Sequence, residues 1–493
     1  MEFISDTIAQ RLEQMIPGDV PGCSFDGSQW LAGVGERVEV NDPETGALAL
    51  RYADAGEAQI EAVLSAAQHA GNAWAAFSAR DRARCLRALA TNVRARAGAL
   101  AELESLSCGK VLKGAEAQVE LVADMFEYYA GWADKFTGDV IPVPNGQLNY
   151  TVHEPVGVIL QVIPWNSPLY LAAWNAAPAL AMGNAVVLKP SELTPLTAMV
   201  LAWLSVQAGV PAGTLSVLAG LGHTVVPRAV ADPRVKKVVF VGSTAVGRIV
   251  AAQAAARPIP CMLELGGKSA NIVFADADLD KAAAAAVLAG YANSGQNCAA
   301  GSRLLVQRSI YDAFLEKLVV ETSQYVVGSS LSRTTDIGPV VSQAQHERIT
   351  RMIAQGVQEG GRLLTGGGAP HREGYFIQPT LLVDMANTMA VARQEIFGPV
   401  ICVIPFDEEA DAIAIANDSE FGLVGGVWTQ DISRGHRVAS KVNAGLLWIN
   451  MYREMHVSSP FGGNDSSGYG RSSGANCLHE YVNVKSVWLP FNV

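Results

Sequence analysis

Between residues 57 and 137 apolar positions recur at intervals of three and four, in "EAQIEAVLSAAQHAGNAWAAF", "ARDRARCLRALATNVRARAGALAELESL" and "GAEAQVELVADMFEYYAGWADKF". That period predicts amphipathic helices, each with one face to cover. The Pro/Gly/Asn break "IPVPNGQ" ends the pattern, and short apolar runs then alternate with helical segments. "VGVILQVIPW", "NAVVLKP", "LSVLAG" and "KKVVFVG" predict strands, with helices in "PLYLAAWNAAPALAM", "TPLTAMVLAWLSVQAG" and "GHTVVPRAVAD" between them. This is βαβ order and predicts a parallel sheet. A second series begins near Pro260, with strands expected in "CMLEL", "ANIVF", "RLLVQ", "FIQPTLLV", "VICVIPF", "GGVWTQ" and "GLLWIN". The expected fold class is therefore α/β, with two α/β domains meeting near residues 255–262. No short repeat period points to a solenoid.

A chain of 493 residues is long enough for two or three domains. Charged residues make up only 17% and glycines number 47, which suits a compact α/β enzyme rather than a disordered chain. A formal charge of -11 without a basic run excludes a nucleic-acid partner, which would need clustered Lys and Arg. No apolar run approaches the ~20 residues that span a bilayer, and "MEFISDTIAQRLEQ" carries acids where a secretory signal is apolar. A soluble, cytoplasmic protein with no membrane partner is expected. The seven cysteines lack CxxC spacing and the eight histidines lack HExxH, so neither a disulfide framework nor a metal site is expected. There is no GxSxG elbow of a serine hydrolase.

Several positions nevertheless carry chemistry. "YANSGQNCAAGSRLLVQ" sets Cys298 in a small polar turn between a helix and a strand. A solitary cysteine is ordinarily a buried hydrophobe, so a catalytic reading depends on its neighbours. "VVFVGSTAVGRIVA" runs a strand into Gly242, Ser243 and Gly247 and then a helix, which can aim amides at a phosphate. The spacing is not GxGxxG, and an ordinary strand-to-helix turn reads equally well. "AVVLKPSE" puts Lys189 and Glu192 at the carboxyl end of a strand, where open α/β sheets bind ligands, or else makes an exposed pair. Asn166, at the corner of "VILQVIPWNSPLYLAAW", can donate to an oxyanion or cap the next helix, and local sequence favours the cap. Glu264 in "CMLELGGKSANIVF" ends an apolar run, where burial would raise its pKa toward that of a useful base. Glu395 in "ARQEIFGPVICVIPF" reads the same way or as a structural carboxylate.

Taken in order, "IPWNSP", "VVLKPSE", "FVGSTAVG", "LELGGKSA", "GQNCAAGSR", "EIFGPV" and "SPFGG" resemble the NAD(P)-dependent aldehyde dehydrogenase superfamily. The resemblance runs from "NDPETG" near residue 41 to the "SGYGR" loop. It implies a Rossmann-like cofactor domain (1–128 and 150–258), an α/β catalytic domain (259–462) and a β oligomerisation arm (129–149 and 470–493). A homodimer or homotetramer follows from such an arm. By the same resemblance Cys298 adds to an aldehyde, while Asn166 and the Cys298 amide hold the oxyanion. The adduct expels hydride to the nicotinamide, and Glu264 activates the water that hydrolyses the remaining thioester. Lys189 and Glu192 would bind the adenosine ribose, Ser243 and the glycines around it the pyrophosphate, and Glu395 and Phe397 the nicotinamide ribose. Ile163, Pro164, Trp165, Gly242 and Gly266 complete the implied cofactor contacts. A carboxylate at Glu192 repels a 2′-phosphate and so favours NAD over NADP.

The departures concern walls rather than reacting groups. Ser167 follows Asn166 where many members carry an aromatic, Asn297 and Ala299 flank Cys298, and Asp465 replaces a common lysine. Motif alignment places Leu171, Trp174, Asn297, Ala299, Met455 and Phe461 along the substrate tunnel. That mostly apolar lining fits an aromatic or medium aliphatic aldehyde. Arg453 lies in the segment forming the tunnel mouth and could grip the carboxylate of a semialdehyde. The plainer reading is an exposed or Glu454-paired arginine. A CoA-acylating dehydrogenase is the other alternative, disfavoured by Glu264, since transfer to a thiol needs no hydrolytic base.

Overall fold

The Val-, Ile- and Leu-rich runs become strands buried on both faces, as central strands of parallel sheets must be. The computed structural model describes residues 1–144, 146–370 and 373–490. Its first large sheet is ordered Gly468–Tyr469, Cys261–Glu264, Val235–Val241, Val158–Val162, Ala185–Lys189, Leu215–Val217, Ser24–Phe25 and Trp30–Leu31. The five strands from Cys261–Glu264 to Leu215–Val217 are parallel. Chain order reverses at Val158–Val162, so a crevice opens at the carboxyl ends of this strand and Val235–Val241.

The second sheet is ordered Arg362–Thr365, Thr380–Val383, Val400–Phe406, Arg303–Gln307, Ala270–Val273, Val424–Trp428 and Leu446–Ile449, with only the first strand antiparallel. Cys261–Glu264 does not join it, although the sequence grammar groups this run with the second series. It pairs instead with Val235–Val241, in the register Val238↔Cys261 to Val241↔Glu264. The division expected at 258/259 thus falls between neighbouring strands of one sheet. The return strand Gly468–Tyr469 closes that edge through Glu264↔Gly468, which brings the C-terminal loop onto Glu264.

A third sheet holds Val482–Pro490 antiparallel to Gln147–Pro155, with Val140–Ile141 on the far side. The elements here do not follow the bounds 129–149 expected for an arm. Residues up to Trp132 complete the helix Leu112–Trp132, whose Tyr129 is fully buried, and the strand that begins at Gln147 continues to Pro155. Residues 145 and 491–493 of the expected arm lie outside the described residues. The helical run read as one piece from residue 79 divides into Ala79–Arg94 and Ala97–Cys108. Among the described residues, no helix is long and apolar enough to cross a membrane.

Candidate active site

Cys298 stands just after a stretch of backbone that few side chains tolerate. Asn293, Ser294 and Gly295 all have positive φ, at 57°, 56° and 70°. A Cβ at Gly295 would lie 2.0 Å from the Gly398 oxygen, so only glycine fits. Left-handed Asn and Ser are uncommon and costly, and such strain persists where surrounding contacts over-determine it. Those contacts are present: Gln296 Oε1 accepts from Val341 N at 2.9 Å, and Ser294 Oγ donates to Gly338 O at 2.8 Å. The strained turn therefore fixes the position of the thiol.

Asn166 is tied to the same turn. Its Nδ2 donates to Gln296 O at 3.1 Å, and Asn293 Nδ2 donates to Asn166 O and Gln296 O, both at 2.9 Å. One N–H of the Asn166 amide remains to donate elsewhere. The capping reading fails because the N-cap of the helix Pro168–Ala181 is Ser167. The amide of Leu169 is taken by Glu104 Oε1 at 3.4 Å. Behind Asn166 lies a buried ion pair, Lys110 with Glu104 at 3.6 Å, and Lys110 Nζ donates to Ser167 Oγ at 2.8 Å. Ser167 Oγ in turn donates to Asn166 O, so a cation backs the asparagine where an aromatic ring was the common alternative.

Glu264 ends its strand fully enclosed, and burial pushes its carboxyl up to about 8, with Ser472 hydrogen bonds and Arg471 opposing the rise and Glu480 adding to it. Ser472 Oγ donates to Glu264 Oε1 at 3.1 Å. The Cys298 thiol is pushed up to about 12, first by burial and then by the Glu395 and Glu264 charges, against the lowering effect of the Ala299 and Cys298 amides. Thiol and carboxylate thus feel one another. Both groups are raised in a site where charge is poorly solvated.

The other sequence-selected residues gather at the crevice of the first sheet. Ile163 N donates to Lys189 O at 3.0 Å, joining the carboxyl ends of adjacent strands. Lys189 Nζ is buried and 3.4 Å from Glu192 Oε2, and burial lowers its pKa while Glu192 and Asp54 oppose that. Ser243 caps the helix Thr244–Ala255, accepting from Val246 N, and Gly242 N donates to Glu264 O at 3.0 Å. Trp165 and Phe397 meet edge-to-face with centroids 5.3 Å apart, and Phe397 has φ +59°. Pro164 stands between Ile163 and Trp165 at the same corner. Glu395 Oε1 accepts from Gly267 N at 3.1 Å, and burial raises its pKa to about 7. A Cβ on Gly266 would fall 2.6 Å from Glu395 Oε2.

A cavity of about 380 Å³ opens nearby, walled by the Leu112–Trp132 helix, Tyr170, Trp174 and the segment Met455, His456 and Val457. Of the residues expected along the tunnel, Trp174 and Met455 line this cavity. Phe461 packs edge-to-face on Trp174 at 5.9 Å, and Ala299 and Leu171 belong to the same apolar cluster. Asn297 turns its Oδ1 to Ala299 N at 3.0 Å, folding onto its own loop. Arg453, at φ +71°, is not among the cavity's lining residues; its charge interacts with Tyr325, Tyr452 and Glu454. The sequence reading missed Asn293, Lys110, Tyr170 and Ser472. Asn293, Tyr170 and Ser472 stand beside recognised motifs and Lys110 beside none, while Asn293 reaches Asn166, Lys110 reaches Ser167 and Ser472 reaches Glu264 across 127, 57 and 208 positions.

A profile of the Aldehyde dehydrogenase family matches residues 30–487. The betaine aldehyde dehydrogenase of Sinorhizobium fredii is 43% identical, covering 92% of this chain and 94% of its own length. Human retinal dehydrogenase 2 is 41% identical over 94% of this chain and 90% of its own. The crystal structure of Staphylococcus aureus betaine aldehyde dehydrogenase with NAD+ superposes with a TM-score of 0.94 at 34% identity, covering 99% of this chain and 98% of that one. The chain belongs to the aldehyde dehydrogenase family.

Proposed function

We propose that this protein oxidises an aldehyde to its carboxylic acid with NAD, using Cys298 as nucleophile, Asn166 as oxyanion donor and Glu264 as hydrolytic base. The observation that carries the reading is the convergence of a thiol on a strained turn, a side-chain amide tied to that turn and a carboxylate raised to about 8. The thiolate of Cys298, its proton released to solvent, adds to the aldehyde carbon, and the free N–H of Asn166 meets the developing oxyanion. Loss of hydride from the adduct, to the acceptor that NAD would supply when bound, leaves the thioester; Glu264 takes a proton from the water that attacks it and returns that proton to the Cys298 sulfur as the acid departs. Strong burial of the site keeps competing water away from the first step.

The crevice suits a dinucleotide. A buried ammonium and a carboxylate stand together at the end of Ala185–Lys189, and the exposed Val246 and Ile249 on the first turns of Thr244–Ala255 offer an apolar shelf for a base. When bound, NAD supplies the hydride acceptor and a positive ring charge that opposes the raised thiol pKa. Lys189 and Glu192 would hold its ribose, and Glu395 with Phe397 its nicotinamide end. Gly266→Ala is expected to raise the KM for NAD about tenfold or more while the protein stays folded, because the new Cβ displaces Glu395. An unchanged KM would remove Glu395 from the cofactor site.

The aromatic and thioether walls Tyr128, Tyr170, Trp174 and Met455 support an aromatic or medium aliphatic aldehyde. The semialdehyde alternative has less support, since Arg453 is directed among tyrosines. CoA-dependent acylation leaves Glu264 without a task. The exposed Val140, Val484, Trp488 and Leu489 on the third sheet support an oligomerisation arm, and hence a homodimer or homotetramer. Purified protein with NAD and a panel of aromatic, aliphatic and carboxylated aldehydes, without CoA, is expected to produce NADH, fastest with an uncharged aldehyde. Silence until CoA is added would replace hydrolysis by acyl transfer.

A further inference from the structure

Glu264 is enclosed, and among the described residues one side chain donates a hydrogen bond to it, Ser472 Oγ at 3.1 Å. Ser472 is itself buried and rigidly placed. Its N–H donates to Phe461 O at 2.8 Å, and Phe461 N donates to Ser472 O at 2.7 Å. The next residue, Ser473, is forced to φ +69°. Gly462 lies against the same carboxylate oxygen, and a Cβ there would stand 3.1 Å from Glu264 Oε1. The hydroxyl has a second acceptor, Phe461 O at 3.5 Å.

Resting on the hydrolytic reading above, we propose that Ser472 is a positioning residue for Glu264. Its hydroxyl holds the carboxylate between turnovers and rotates onto Phe461 O when the carboxylate engages the water at the thioester. A hydroxyl can make that exchange because its proton turns freely and either acceptor satisfies it. Releasing Glu264 therefore leaves no buried donor orphaned, which would otherwise oppose the movement. The donor also favours the ionised carboxylate against the desolvation that surrounds it. The other charged or titratable groups bearing on Glu264 are Arg471, Glu480 with its partner Lys237, Tyr481 and Cys298. None of these donates a hydrogen bond to Glu264 among those described.

Ser472→Ala and Ser472→Thr test this directly. Removing the donor raises the Glu264 pKa further, so the acid limb of the kcat–pH profile should move up by about one unit, and kcat at pH 7 should fall about tenfold. The pre-steady-state burst of NADH and the aldehyde KM should stay as in the wild type, and threonine, which keeps the hydroxyl, should restore the profile. An alanine profile that superimposes on the wild type, a pH-independent loss, or an equal loss with threonine would overturn the proposal. Glu264→Gln measured in parallel separates the two levels. If it leaves steady turnover intact, the hydrolytic reading falls; if it stops turnover while Ser472→Ala changes nothing, only the role of Ser472 falls.

Discussion

Cys298→Ala is expected to reduce NADH production by about 10⁴-fold or more with every aldehyde tested, while NAD binding persists. The size of the effect follows from what else the site contains. Asn166 and the amides near the sulfur can stabilise an oxyanion, but only the sulfur can form the covalent adduct and then leave from the thioester. Neither Cys402 nor Cys261 can replace it. Cys402 is wholly buried, with its thiol turned to Val391 O, and Cys261 lies beside Tyr469 on the first sheet. The positive φ values at residues 293–295 precede Cys298 and depend on Gln296, Ser294 and Gly398 rather than on the thiol, so the turn should survive the substitution. NAD titration by fluorescence quenching checks that the crevice is intact. Substantial activity in this variant would mean that hydride leaves an uncatalysed hydrate, and the covalent mechanism would be wrong.

The strands were legible because their apolar runs are continuous, and the period change near residue 147 marked the transition from helices. Cys261–Glu264 was misassigned for a physical reason: a four-residue apolar run carries no information about which sheet accepts it. Its partner Val235–Val241 and the return strand Gly468–Tyr469 supply that choice. The proposed nucleophile, base and amide were named from motifs, yet the contacts around them could not be. Lys110 reaches Ser167 across 57 positions and Ser472 reaches Glu264 across 208. Only folding brings such pairs together, and neither residue type is unusual where it stands. Asn166 shows the opposite case. Local sequence favoured a helix cap, but the distant Glu104 takes the Leu169 amide and frees the asparagine for the turn that carries Cys298.

Glu264→Gln is expected to separate the two halves of the reaction. Glutamine retains the shape and can still accept from Ser472, but it cannot take a proton from water. A burst of about one NADH per active site should remain, followed by steady turnover lowered by roughly 10²- to 10⁴-fold, the usual contribution of a general base. Added hydroxylamine, which attacks the thioester without needing a base, should restore turnover. Loss of the burst as well would mean that Glu264 is required to deprotonate Cys298, whose thiol is pushed up to about 12. The same substitution should appear in stability, with a sign fixed by linkage. Burial raises the Glu264 carboxyl from its ordinary 4.5 to about 8, so between those values the native protein holds a proton that the unfolded chain has released. That group's contribution is present in full below about 4.5 and is lost as pH rises through about 8. Glutamine has no proton to lose, so the variant should gain in Tm over the wild type as pH increases across this window. A difference in Tm that does not change with pH would show that Glu264 titrates normally, and would remove the physical basis for assigning it as the base.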